Sequence, residues 1–242
     1  MKTDFSYVAL RSELTAIVNA GYRSIRCIDY ADRMGKPCDP TEKLVVVRID
    51  VDLSLAKAAP MLDILKDTGV LASFFVRLHA PEYNPFSFEG YRMLRRIVAE
   101  GHELGYHSEV VDEADIWGED AAACLRRDMA VLSAMSGVPI VSAASHGGLT
   151  GNNNLDFFKA HDPRDFGLRY EAYENSESFN LFHASRYVSD SEWTRWKAYE
   201  NGTRIDGDHR PPSEHLADSP AVLHLLVHPD TYYVNHFYER ER

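Results

Sequence analysis

Nine residues, LVVVRIDVD at 44–52, do most to limit what this chain can fold into. A near-continuous apolar run of this length marks a strand buried on both faces, and such strands belong to parallel sheets covered by helices. The run ends in two carboxylates, Asp50 and Asp52, which share one face if the strand stays regular. At 242 residues the chain is long enough for one large α/β domain or two small ones.

The rest of the sequence repeats the theme. Apolar β-rich runs at 70–76 (VLASFFV), 102–107 (HELGYH), 138–147 (VPIVSAASHG), 165–171 (DFGLRYE), 181–189 (LFHASRYVS) and 221–229 (AVLHLLVHP) alternate with amphipathic segments. The segments at 55–69, 85–101 and 118–137 carry helical spacing. Ser87 is placed to cap the second, and Gly69 and Gly101 to stop the first two. Repeated strand–helix units imply parallel strands joined by right-handed crossovers. The expectation is therefore an α/β protein, an irregular seven-stranded parallel (β/α) barrel, least regular over 150–220. Residues 1–40 are expected as an N-terminal helical appendage (helix 5–20) on a single domain spanning 1–242.

Composition narrows the functional classes. Apolar residues make up 45% and charged residues 26%, which argues against general disorder. A net charge of −11 argues against non-specific binding to nucleic acid or an anionic membrane. Cys27, Cys38 and Cys124 are odd in number and widely spaced, so a reducing compartment is expected. The N-terminal stretch is interrupted by Asp4, Arg11 and Glu13 and lacks a signal-peptide core, and no run approaches a membrane span. A cytoplasmic protein is the expectation.

Functional groups of a parallel α/β barrel gather at the carboxyl ends of its strands. There the sequence places Asp50 and Asp52, His107, His146 before a Gly-Gly pair, and His228. Taken singly, each is as readily a loop cap, a partner of Arg48 or Arg77, or a structural histidine. Together on one rim they point to a metal or acid–base centre. His102, ahead of its strand, reads as a turn-fixing residue.

At this point the chain resembles the polysaccharide deacetylase (NodB-like) family of the glycoside hydrolase/deacetylase superfamily. RIDVD is similar to its first motif, GHELGYHS (101–108) to its second, and LLVH (225–228) to its last. The resemblance implies Asp50 as catalytic base, Asp52 and His107 as ligands of a divalent cation, zinc most often, and His228 as general acid. The cation would polarise an N-acetyl carbonyl and a bound water, and hydrolysis would release acetate and a free amine. N-acetylated sugars or nucleotide sugars are the implied partners. Landmarks such as GYH, SHG and LLVHP are similar to a divergent branch found with surface-polysaccharide biosynthesis enzymes, O-antigen-like pathways included.

Two departures matter. The family's second motif continues to a histidine four residues after the first, where this chain has Val111, and its arginine-containing third motif is replaced by AASHGG. A zinc site needs three protein ligands and an open position. His146, on the adjacent strand, is the favoured third ligand. Glu109 is the runner-up, as ligand or as support for one, and Asp112 comes last. Arg77, Arg186, Asp190 and Trp193 are candidates for lining a substrate pocket, whereas at least two of Trp193, Trp196, Tyr170 and Tyr173 are expected to be packing residues. Two other readings stay open: an inactive barrel that binds carbohydrate or serves as a scaffold, and a hydrolase of a cyclic amide or formamide.

Overall fold

The computed structural model of the chain describes residues 4–37, 39–235 and 239; Cys38 lies outside the described residues. In chain order the elements are α1 (Tyr7–Asn19), β1 (Arg23–Ile25), α2 (Cys27–Ala31), β2 (Leu44–Val51), α3 (Ala58–Thr68), β3 (Ala72–Val76), α4 (Phe88–Ala99) and β4 (Glu103–Ser108). Next come α5 (Val110–Trp117), α6 (Ala121–Ser136), β5 (Ser142–Ser145), α7 (Leu155–Ala160), β6 (Tyr170–Glu171), β7 (Arg186–Ser189), β8 (Lys197–Glu200), β9 (Thr203–Ile205) and β10 (Val222–Val227). Among the described residues no helix is long and apolar enough to cross a membrane.

All ten strands lie in one sheet of order β6-β5-β4-β3-β2-β10-β7-β8-β9. β1 pairs with the first three residues of β2, and β3 joins that strand from Val47 onward. β2 is buried along its whole length, as its apolar run requires. Its inner neighbours in the sheet pair in parallel, with helices over the outer face.

The seven-stranded barrel expected from the sequence is corrected on two points: the described residues form ten strands, and their sheet does not close. β6 has only two residues, and the edge of β7 that closure would need is taken by β8, which runs antiparallel. The β8–β9 hairpin turns at Asn201 and Gly202, both with positive φ, as a tight hairpin turn demands. Tyr170, Phe179 and Leu181 pack a buried cluster beside the short β6 strand.

Helix ends follow local chemistry. The Ser87 hydroxyl accepts from the Gly90 N–H, and α3 stops at Gly69 in the left-handed conformation. His102 accepts from the Ala72 N–H at the amino end of the sheet, well away from the strand carboxyl ends. The N-terminal segment is anchored by Glu103, whose carboxylate accepts from the Ile28 N–H and from Ser73, Ser142 and Tyr170.

Candidate active site

Alternation along β2 places Arg48, Asp50 and Asp52 on one face. Arg48 is fully buried and grips Asp50 with two bonds, Nε to Oδ1 at 2.8 Å and Nη2 to Oδ2 at 2.6 Å. Its guanidinium also lies 4.6 Å from the centre of the Tyr173 ring. Burial alone would raise the Asp50 pKa, but Arg48 and His107 hold it below the usual carboxylate value. The arginine that the resemblance implies is absent from its expected place, yet Asp50 has an arginine partner two residues upstream. The sequence signal was the same-face spacing in RIDVD.

His107, the last residue but one of β4, hydrogen-bonds through Nδ1 to the Ala144 carbonyl, 2.7 Å away. A carbonyl can only accept, so Nδ1 carries the proton and Nε2 faces the carboxylates. Nε2 lies 3.1 Å from Asp52 Oδ1 and 3.5 Å from Asp50 Oδ2. The shorter approach lacks hydrogen-bond alignment, and Asp52 Oδ1 is left without a partner, as is His146 Nδ1. One ligand atom each from Asp52, His107 and His146 lies within 4.8 Å of the others. The His107 and His146 rings meet edge to face with centroids 5.1 Å apart.

The electrostatics favour positive charge here: burial would lower the His107 pKa, but Asp50 and Asp52 push it up. Against the penalty of burial, His107 and His228 hold Asp52 well below the usual carboxylate range. Burial and the neighbouring His107 push His146 down to about 4, which leaves its imidazole neutral at pH 7. Two imidazoles and a carboxylate, with Asp52 Oδ1 and His146 Nδ1 buried and lacking hydrogen-bond partners, are the donor set that zinc and similar cations take.

His228 follows β10. Its Nδ1 lies 2.6 Å from Asp190 Oδ1, and its backbone N–H donates to Asp190 Oδ2 at 2.9 Å. Burial opposes charge on this ring, but Asp190 pushes its pKa up to about 9. Nε2 points back toward Asp52, 3.8 Å from Oδ2. Trp193 lies over the imidazole at 5.9 Å and 29°, on a backbone with a φ of 62°. A tryptophan in that left-handed conformation is strained.

Several expected site residues sit elsewhere or do something else. Asp190 is fully buried against His228, so it orients that ring and does not line a pocket. Arg186 begins its strand at the opposite end of the sheet, tied to Glu200, Asp218 and His215, and is not at the site. Arg77 is buried on Glu109 and on the Asp52 carbonyl, so it supports the Asp52 turn without presenting a free cation. That leaves Glu109 Oε1 engaged with Arg77 and 3.7 Å from His146 Nδ1, beside the three-ligand group and not part of it. Asp112 accepts from the Leu149 and Thr150 N–H groups and from Asn154, and so fastens the loop after His146. Val111 donates its backbone N–H to Asn154 Oδ1 in the same arrangement. Trp196 packs on Phe5 and Tyr170 stacks on Phe179, as packing residues do.

Together these features define an open α/β sheet with a histidine–carboxylate centre at its strand carboxyl ends. No protein-family model matches the chain, and no curated protein matches it significantly. Among solved structures it is similar to a Streptococcus pyogenes deacetylase in complex with acetate, at 12% identity and a TM-score of 0.45, over 57% of this chain and 61% of that one. It is similar to a CE4 family pseudoenzyme from Bacillus anthracis, at 16% identity and a TM-score of 0.44, over 79% of this chain and 56% of that one. It is also similar to the chitin deacetylase of Colletotrichum lindemuthianum, at 21% identity and a TM-score of 0.33, over 42% of this chain and 45% of that one. These structures bear deacetylase or CE4 names.

Proposed function

We propose that the chain is a metal-dependent hydrolase of a C–N amide bond, with N-acetylated amino sugars as its substrate class. The observation that supports it most is the convergence of Asp52, His107 and His146, with Asp52 Oδ1 and His146 Nδ1 lacking hydrogen-bond partners, beside Asp50 and His228. Asp52, His107 and His146 would hold the divalent cation, most often zinc in such a donor set. When bound, the cation supplies Lewis-acid polarisation of the amide carbonyl and of a water.

The chain's own residues supply the proton handling. Asp50, fixed by Arg48, keeps lone pairs free on both oxygens and takes a proton from the attacking water. The water oxygen bonds to the carbonyl carbon and the C–N bond breaks. His228, cationic through Asp190, gives its Nε2 proton to the departing amine. Trp193 shields that imidazole and offers the edge of an aromatic surface to a sugar ring. The finer assignment, an amino sugar of surface-polysaccharide synthesis, is supported by motif resemblance. We further propose that the whole chain works as one unit, since Glu103 ties the N-terminal segment to the sheet.

Metal analysis of the purified chain tests the reading, with one divalent cation per chain expected and none in His107→Ala. A wild-type chain with no cation above that background refutes it. Acetate release from a panel of N-acetylated sugars and nucleotide sugars tests the substrate class. If a cyclic amide opens while every sugar is inert, the amide chemistry stands and the deacetylase assignment goes.

A further inference from the structure

Glu171 closes β6, the shortest strand of the sheet, and is 1% exposed. No arginine, lysine or histidine among the described residues forms an ion pair with it. A carboxylate so placed is costly to bury unless its oxygens are hydrogen-bonded. Both oxygens are, and both partners are backbone N–H groups of segments that carry site residues.

The first partner is Ser145. β6 pairs with β5 only at Ser142–Tyr170 and Ala143–Glu171, so β5 runs past the end of its neighbour. The Ser145 N–H, which a longer β6 would have received with a backbone carbonyl, donates instead to Glu171 Oε1 at 2.9 Å. The next residue is His146, whose own N–H donates to the Ser108 carbonyl on β4. The second partner is the Tyr173 N–H, 2.7 Å from Oε2. The Tyr173 ring packs on the Arg48 guanidinium, which in turn grips Asp50.

We propose that Glu171 is a positioning residue that fixes His146 and the Arg48–Asp50 pair relative to each other through its two backbone bonds. It rests on the metal-centre reading above and deepens it. The side chain replaces the missing length of β6 and so sets where His146 presents Nδ1. Without it, the end of β5 is held on one side only, by β4. Outer partners that orient a ligand typically change metal affinity by about 10–100-fold when removed.

The test uses cobalt(II) alone, titrated into the full chain freed of metal, with binding and the visible spectrum of the bound ion as readouts. Glu171→Gln keeps the shape, but its amide offers one acceptor where two N–H donors point. Affinity is expected to fall about 10–100-fold, with an altered spectrum at saturation and urea unfolding that remains cooperative. Glu171→Asp keeps the charge but not the reach, and is expected to lie between the two; it also serves if the glutamine variant does not fold. A purely structural role would leave the spectrum of the saturated site unchanged. Wild-type affinity and spectrum in either folded variant overturn the role of Glu171 while leaving the metal centre standing. A wild-type chain that binds no cobalt sinks the metal-centre reading itself, and this inference with it.

Discussion

Two groups of three ligand-type side chains lie among the described residues, each with one atom apiece within 4.8 Å of the others: Asp52, His107 and His146, and His79, Glu113 and Asp128. They differ in how their charges and lone pairs are used. In the second group His79 Nε2 lies 2.7 Å from Asp128, and Arg127 pairs with both Glu113 and Asp128. The Tyr106 hydroxyl is within hydrogen-bond distance of both carboxylates. Burial would lower the His79 pKa, but Asp128 and Glu113 push it up to about 10, so two cations face two anions. In the first group Asp52 Oδ1 lies 3.1 Å from His107 Nε2 without hydrogen-bond alignment, and neither it nor His146 Nδ1 has a hydrogen-bond partner. Proximity of ligand atoms is therefore a poor criterion by itself; what marks a cation site is unspent donor capacity.

The largest effect is expected at His107. His107→Ala should lower divalent-metal affinity by more than about 100-fold, beyond the loss typical of outer partners, as read by competition with a chelator. Retained affinity would mean that the cluster is not the centre. Asp50→Asn should keep the metal while acetate release falls about 10²–10⁴-fold. It should also lower stability, because removing one charge of a buried pair costs about 3–5 kcal/mol; equal activity and a full complement of metal would remove Asp50 from the base role. Asp190→Asn should reduce turnover about 10–100-fold, within the reach of general-acid effects, with metal content unchanged, since it touches His228 and none of the three ligands. Lost metal would place Asp190 among the supports of the cation instead.

The smallest effect is expected in the balanced group. His79→Phe should leave metal affinity unchanged and weaken only the fold. The folded pKa of His79, about 10, lies above its ordinary 6.5. Its contribution to stability is thus fully present below pH 6.5 and is lost as pH rises through about 10. The gap in urea midpoint between wild type and His79→Phe should narrow over that interval; a gap that widens with pH would reverse the assignment of charge.

Much of the frame was legible because it depends on local pattern. The apolar run at 44–52 reads as a doubly buried strand, and seven expected strands appear, several shortened at their ends. Ser87 and Gly69 mark helix ends through bonds and φ angles set by their own chemistry. The β8–β9 hairpin was missed, although the Asn201–Gly202 pair is a turn signal in itself. The open edge of the sheet was not legible, since it follows from a two-residue β6 and from the capture of β7 by β8.

For the site, strand direction and two-residue alternation are enough to bring Asp50, Asp52, His107, His146 and His228 to the carboxyl rim, whatever the details of packing. Their partners were decided only by tertiary structure. Asp190 orients the His228 ring, Arg186 is drawn to the far end of its strand, Asp112 fastens a loop, and Glu171 serves two segments that lie apart in the sequence. Hydrogen bonds between distant segments depend on distances of a few tenths of an ångström, which no periodicity encodes. Residue type at a strand end is a local property, whereas an unspent lone pair in the interior is a property of everything packed around it.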